Sequence, residues 1–277
     1  MMLLGSDIDF FLVGPQRTAS TWIYRNLLPY LDMPLAVKET MFFDRHFDNG
    51  FDWYFKHFTK TGLPRGEVAP TYFHSSNARE RIFASFPNAH IVITLRDPID
   101  RIESMYRLYT QYGMYRGSID DFYFDNGEVR ESSRYALNVK AWIDLFGENN
   151  ITILLEEDRQ KDPEEFLRTI LSVVSGRHEV SPKKEFTHLN EHETENTAKF
   201  PFLALLVQRT GDYLRKRGLY FVINAGKAAG LKHLLLGGRK ERAVLSVAAR
   251  NAIEADLSVD IEQLRVILGR SDLPWCN

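Results

Sequence analysis

Residues Phe10 to Leu28, FFLVGPQRTASTWIYRNLL, constrain what this chain can fold into more than any other stretch. Phe10, Phe11, Leu12 and Val13 form a short apolar run without polar alternation, the pattern of a strand covered on both faces of a parallel sheet. Gly14-Pro15 ends it, because glycine permits a sharp exit and proline has no N–H for further pairing. Ile23, Leu27 and Leu31 then recur at helical spacing, with Thr18, Ser20 and Thr21 available as caps at the helix start. Unsatisfied backbone N–H groups there, together with the hydroxyls and Arg17, favour an anion, and the helix dipole alone contributes roughly 0.3–2 kcal/mol.

The nucleotide-binding pattern GxxxxGK[ST] fails on this loop at two places, because Ala19 stands where the second Gly belongs and Ser20 where the Lys belongs. Without that Lys the β- and γ-phosphates of a nucleoside triphosphate lack their usual support, and the loop's cation is Arg17, placed earlier. Taken alone, the stretch also reads as an ordinary strand–turn–helix with a solvated Arg.

Similar units follow along the chain. Arg65 to Pro70 reads as a second strand, followed by a loop with Thr71, Tyr72, His74 and Ser75 and a helix over Ala78 to Phe86. His90 to Leu95 is a buried strand running into Arg96-Asp97-Pro98, where Asp97 suits an N-cap and Pro98 the first helical position. On the helix that follows, Ile99, Ile102, Tyr106 and Tyr109 make the packed face, with Asp100, Arg101 and Ser104 on another. Arg96 offers a planar fork for bidentate phosphate binding, and Ser104 presents a hydroxyl two turns on. Gly113 to Glu131 reads as an irregular polar cover, then a helix from about Arg134 to Phe146. Asn150 to Leu155 is the next strand, and Asp162-Pro163-Glu164 opens another helix. The last third is helical, over Phe200 to Arg217 and Ala243 to Leu268, with a basic turn Gly237-Gly238-Arg239-Lys240 between. Strands alternating with helices predict an α/β fold: a three-layer, P-loop-like domain with a central parallel sheet flanked by helices, and a helical C-terminal third. Ligands of such sheets bind at the carboxyl ends of the strands, and Arg17, Glu67 and Arg96 all read as following strand ends.

Two further stretches bear on chemistry. Lys38-Glu39, just before Met41-Phe42-Phe43-Asp44, places a charge pair at the rim of an apolar surface, where a partly desolvated carboxylate makes a competent general base; a surface ion pair is the alternative. Phe51, Trp53, Tyr54, Phe55 and Phe58 are too aromatic for a solvated helix and read as core, with one wall of a substrate cleft as the alternative. His188-Leu189-Asn190-Glu191-His192 spells an inverted zinc-peptidase motif, but it follows Ser181-Pro182 in a polar, loop-like context without a convincing third ligand, so no metal is expected.

Composition narrows the partners. With 35 Lys and Arg against 37 Asp and Glu among 277 residues, the charge is near balance and no dense basic block occurs, so no nucleic-acid partner is expected. The length suits a single domain over residues 1–277. The one cysteine, Cys276, excludes an intrachain disulfide framework and suits a reducing compartment. The N-terminus lacks a basic leader region and carries Asp7 and Asp9, and no run reaches the roughly 18 apolar residues of a membrane span. The expectation is a cytoplasmic protein with no transmembrane segment.

Together these stretches resemble the sulfotransferases that use 3′-phosphoadenosine 5′-phosphosulfate (PAPS), in the branch holding the heparan-sulfate and related carbohydrate enzymes and many bacterial members. GPQRTAST, KETMFFD, GFDWYFKHF, GEVAPTYF, ITLRDPIDRIESMY, GGRK and DIEQLRVILGRSDLPW occur in the family's order. The resemblance implies that Arg17, Thr18, Ala19, Ser20, Thr21 and Trp22 hold the 5′-phosphosulfate. Arg96 and Ser104, assisted by Arg239 and Lys240, would bind the 3′-phosphate. Glu39 would be the general base, with Lys38 secondary and Arg17 stabilising charge on the departing phosphate. The product would be adenosine 3′,5′-bisphosphate, and the acceptor a hydroxyl or amine of a carbohydrate, glycolipid or small metabolite. Relatives usually have Lys in place of Arg17, and the heparan-sulfate enzymes a Lys in place of Val68, which argues against a highly sulfated glycan. A kinase using ATP and Mg²⁺, and a non-catalytic nucleotide- or glycan-binding protein, are the alternatives.

Overall fold

The computed structural model describes residues 8–59, 62–175 and 243–275. His188, His192, the helix expected over 200–217, Arg239, Lys240 and Cys276 lie outside the described residues. Backbone contacts group the described residues into two units, one drawn from within 1–97, 131–189 and 257–277, the other from within 98–130 and 190–256.

The first unit is built on a four-stranded parallel sheet of β1 (Phe10–Leu12), β2 (Gly66–Val68), β3 (His90–Leu95) and β4 (Ile151–Leu155), in the order β2-β1-β3-β4. Phe10 lies opposite Gly66 on one side and His90 on the other, and Ile91 lies opposite Ile151. Side chains on a strand alternate between faces, which explains why an unbroken apolar run is needed. On one face Phe10, Leu12, Val68 and Val92 pack with Ile23 and Leu27 of α1 (Ser20–Leu27) and with Phe166, Leu167, Ile170 and Leu171 of a later helix, Pro163–Val174. On the other face Phe11 meets the rings of Phe43 and Phe86 at 5.5 and 6.1 Å. The helices on that side are α2 (Phe51–Phe55), α3 (Ser76–Ser85) and Tyr135–Phe146, whose buried Trp142 donates its Nε1–H to the Phe73 carbonyl at 2.9 Å. The result is the expected three-layer arrangement, with a parallel sheet between helical layers.

The second unit holds α4 (Pro98–Gln111), α5 (Ile119–Asp125) and the start of α6 (Gly127–Ser133). Counting on along the chain, Tyr135–Phe146 is α7, Glu156–Lys161 α8, Pro163–Val174 α9 and Val247–Leu268 α10. The residues of α10 are divided between the two units. Within the second unit the Leu245 and Ser246 N–H groups donate to Glu103 and Asp120, and the Tyr123 hydroxyl donates to Asp256 at 2.6 Å.

Local chemistry sets the helix starts. The Asp162 side chain accepts from the Glu165 N–H at 3.0 Å with Pro163 next in line, and Ser75 accepts from Ala78 at 3.2 Å. Three expectations need correction. Residues 113–131 are not an irregular cover: Ser118 caps α5 by accepting from Asp120, and Phe122, Tyr123 and Val129 are buried. Arg101, expected on a face apart from the packed one, is fully buried, its guanidinium donating to the Val129 carbonyl at 3.2 Å. The second strand stops at Val68, and Pro70–Tyr72 is a 3₁₀ turn, so Glu67 sits inside β2 and not beyond its end.

Candidate functional site

The loop from Gly14 to Ala19 joins the end of β1 to α1. Glycine is required at its start by close approach: a Cβ on Gly14 would lie 2.2 Å from the Thr94 carbonyl oxygen and 2.4 Å from its hydroxyl. Farther along, Arg17 (φ 74°) and Ala19 (φ 62°) both take the left-handed conformation that residues with a Cβ avoid, flanking Thr18. Such alternation turns successive backbone N–H groups toward one side and forms an anion-binding concavity. Two strained residues in three, on a loop entering a helix, point to a functional constraint.

The hydroxyls do not act as the caps expected. Ala19 occupies the N-cap position and makes no side-chain cap hydrogen bond. Thr18 is fully buried, donates to the Pro15 carbonyl at 2.8 Å and therefore accepts from the Thr94 hydroxyl, also at 2.8 Å. It braces the loop against β3. Ser20 Oγ accepts from Lys38 Nζ at 2.9 Å, and Thr21 is exposed. The Trp22 ring belongs to the core, with the Arg159 guanidinium 4.7 Å from its centroid, which leaves its backbone N–H, not its ring, at the helix start. The N-cap residue itself therefore offers the first N–H groups of α1 no side-chain acceptor, the arrangement in which a helix N-terminus suits an anion.

Lys38 and Glu39 reach this loop from the segment after α1. Lys38 Nζ bridges Ser20 Oγ and Glu39 Oε1, the second contact being 2.6 Å, and the Glu39 side chain is 17% exposed. A carboxylate that is partly shielded and held by one cation beside a loop suited to anions can accept a proton from a group placed between them. Asp44, in a π-helical turn spanning Phe42–His46, is nearby: its carboxyl is pushed above the ordinary range by burial and by the negative charge of Glu39, against lowering contributions from Thr71 and Arg45.

Beneath Glu39 lies a group whose role the sequence did not reveal. Glu67 is fully buried and accepts from the Thr40 N–H at 2.6 Å and from the Tyr54 and Tyr72 hydroxyls at 3.2 Å each. Burial pushes its carboxyl up to about 7, opposed by these hydrogen bonds. The same burial, with the Glu67 charge beside them, pushes both tyrosines well above their usual range. Rings of Phe42, Phe43, Tyr54 and Phe58 pack around them, with Phe42 and Tyr54 stacked at 4.7 Å; of the aromatic run, Tyr54 and Phe58 are core, while Phe51, Trp53 and Phe55 are half-buried.

Arg96 follows β3 directly, in the first unit, with its carbonyl accepting from Tyr135 at 3.0 Å. Ser104 is a buried residue of α4 in the second unit. Among the described residues no group of three or more His, Cys, Asp or Glu side chains is arranged to hold a metal ion, and no helix is long and apolar enough to cross a membrane.

Comparison with known proteins agrees with this architecture. Residues 39–175 match the sequence model of the sulfotransferase family. The membrane-associated sulfotransferase kil1 of Dictyostelium discoideum is 30% identical over 110 residues, covering 38% of this chain and 23% of that protein. The human bifunctional heparan sulfate N-deacetylase/N-sulfotransferase 3 is 32% identical over 112 residues, covering 35% of this chain and 12% of its own length. The chain thus spans less than a quarter of the length of either relative. A sulfotransferase from Alicyclobacillus acidocaldarius, known from its crystal structure, shares the fold over 97% of this chain and 98% of its own, with a TM-score of 0.64 and 18% identity.

Proposed function

We propose, from the match of residues 39–175 to the sulfotransferase family model, that the chain is a sulfotransferase that moves a sulfuryl group from PAPS to a hydroxyl or amine and releases adenosine 3′,5′-bisphosphate. The observation that carries the reading is the juxtaposition of Glu39, through Lys38, with the strained loop at Arg17–Ala19 that leads into α1. An anion seat and a shielded carboxylate on one cation are what in-line transfer to a protonated nucleophile requires.

In the proposed reaction the 5′-phosphosulfate lies against the N–H groups of residues 17–22. The acceptor oxygen attacks sulfur as Glu39 takes its proton. The bond from sulfur to the bridging phosphate oxygen breaks, and the electron pair stays on that oxygen, beside Arg17 and the start of α1. Arg17 remains protonated at any working pH, so its part is electrostatic, as with the clamps on transferring phosphoryl groups. Lys38 holds Glu39 toward the loop, and Arg96 and Ser104, with Arg239 and Lys240, are assigned to the 3′-phosphate. Val68 is buried in the α1/α9 core and offers no cation to an acceptor, which favours a neutral or weakly charged carbohydrate, glycolipid or small metabolite over a highly sulfated glycan.

Thermal unfolding with adenosine 3′,5′-bisphosphate, compared with ATP plus Mg²⁺ and with AMP, tests the donor site. A ligand present at 100 times its Kd adds about 2.7 kcal/mol. Stabilisation by ATP plus Mg²⁺ and not by the bisphosphate would replace this reading with a kinase. Glu39→Gln is expected to keep bisphosphate binding while turnover falls by about 10²–10⁴; an unchanged rate removes Glu39 from the role.

A further inference from the structure

Glu67 is a fully buried carboxylate to which the proposed mechanism gives no part, yet its hydrogen bonds end one residue from Glu39. Oε1 accepts the Thr40 N–H at 2.6 Å, while Oε2 accepts from the hydroxyls of Tyr54 and Tyr72, each at 3.2 Å. The network then closes on the same segment. The Tyr72 hydroxyl oxygen accepts from the Phe43 N–H at 3.4 Å and lies 3.4 Å from Thr40 Oγ1, which accepts from the Phe42 N–H at 3.1 Å. Thr40, Phe42 and Phe43 are therefore all tied to one buried cluster, across a Met41 that takes a left-handed turn (φ 54°).

A backbone that turns this sharply without glycine needs an external hold, and β2 supplies it. Glu67 projects from the strand beside β1, the strand that feeds the Arg17–Ala19 loop, so loop and hold share one rigid sheet. Glu39 sits between two anchors. On one side Lys38 reaches Ser20 of the loop, and on the other Thr40 is fixed to Glu67.

We infer that Glu67 is a positioning residue for the proton-accepting carboxylate: by accepting the Thr40 N–H it sets where Glu39 stands relative to the phosphosulfate loop. This rests on the proposed reading of Glu39 as the base. The decisive property of the side chain is reach, not charge. A glutamine at 67 keeps an oxygen for the Thr40 N–H and offers its amide protons to the tyrosine oxygens, whose hydroxyls can turn to accept them. An aspartate keeps the charge but is one methylene too short to hold Thr40 and both tyrosines from the same strand position.

The test compares the full-length wild type with Glu67→Gln and Glu67→Asp by amide hydrogen exchange at residues 39–43. It adds affinity for adenosine 3′,5′-bisphosphate, and the kcat and KM for cleavage of PAPS with water as the acceptor, which needs no identified substrate. Glu67→Gln is expected to retain Thr40 protection and a kcat within about threefold of wild type. Glu67→Asp is expected to exchange Thr40 at least about tenfold faster and to lose roughly 30- to 100-fold in kcat, the scale of a misplacement near 1 Å. Its bisphosphate affinity and KM for PAPS should stay within about threefold. Should Glu67→Asp fail to fold, Glu67→Gln decides: a folded, bisphosphate-binding glutamine variant that loses Thr40 protection or more than tenfold in kcat overturns the inference. So does an aspartate variant with wild-type exchange and kcat. A wild type that binds no bisphosphate refutes the sulfotransferase reading instead, and the exchange measurement still reports whether Glu67 anchors Thr40.

Discussion

Replacing Glu67 by glutamine should change how stability depends on pH, and the size of the change follows from burial. The carboxyl, ordinarily near 4.5, is pushed up to about 7 because it is wholly removed from water. Between those two pH values the folded protein holds a proton that the unfolded chain has released. The stabilisation this gives is fully present below pH 4.5 and is lost as pH rises through 7. The gap corresponds to about 3 kcal/mol, an order-of-magnitude figure. Glutamine has no such proton. The difference in unfolding free energy between wild type and Glu67→Gln should therefore shift by about 3 kcal/mol against the wild type from pH 4.5 to pH 8, most of it between pH 5 and 7. Other groups bend the curve of each protein separately: burial lowers His57 and His90, which favours higher pH, and raises Asp44 and Asp260, which favours lower pH. These are common to both proteins and largely cancel in the difference. Urea unfolding at half-unit steps over this range is the assay. A flat difference, or one that moves in favour of the wild type with rising pH, would refute the reasoning.

Three further substitutions test the frame around the site. Gly14→Ala would drive a Cβ to within 2.2 Å of the Thr94 carbonyl oxygen and disturb the Thr18–Thr94 hydroxyl bond, with an expected loss of about 1–3 kcal/mol read from denaturant midpoints. Ala19→Val places a β-branched residue at φ 62°, and should cost at least about 1 kcal/mol in thermal unfolding while weakening bisphosphate binding. Asp260 on α10 accepts the Ala136 and Leu137 N–H groups at 2.9 and 3.1 Å, capping α7 from a distant part of the chain; Asp260→Ala should cost about 1–2 kcal/mol, and unaltered stability would deny it that function.

How much of this was legible in the sequence depended on whether the physical cause was local. The run Phe10–Leu12 is apolar because both faces of its strand are covered, and Asp162-Pro163 caps α9 with the two residues that signal it. Both could be read directly. The Lys38–Glu39 pair was legible as chemistry, although nothing in it announces that Lys38 reaches Ser20. Glu67 was not legible, because its meaning lies in Thr40, Tyr54 and Tyr72, which the sheet and the aromatic core bring to it from separate stretches. The cap on α7 was hidden for the same reason, its acceptor Asp260 lying on α10. Thr18 was misread because a hydroxyl before a helix usually caps it, whereas here the close passage of β3 gives the same hydroxyl a partner in Thr94. Gly14 was expected for its conformational freedom, and the requirement is instead the space that Thr94 leaves.

The two mismatches with the nucleotide-binding pattern now separate into different kinds. Ala19 replaces a glycine yet adopts the left-handed conformation that a glycine would take without strain, so the backbone geometry is kept at the expense of local energy. Ser20 replaces a lysine, and here the chemistry does change. The cation returns in space from Lys38, whose Nζ is 2.9 Å from the Ser20 hydroxyl, but it arrives from a segment that also carries Glu39 and is tied to it at 2.6 Å. A lysine within the loop would serve the anion alone. A lysine supplied from outside connects the loop to a carboxylate, and on the proposed mechanism it links the place where a leaving group's charge is stabilised to the place where a nucleophile's proton is taken. On the proposed reading, a cation at residue 38 in place of one at residue 20 is the change that suits the loop to transfer onto an acceptor beside Glu39.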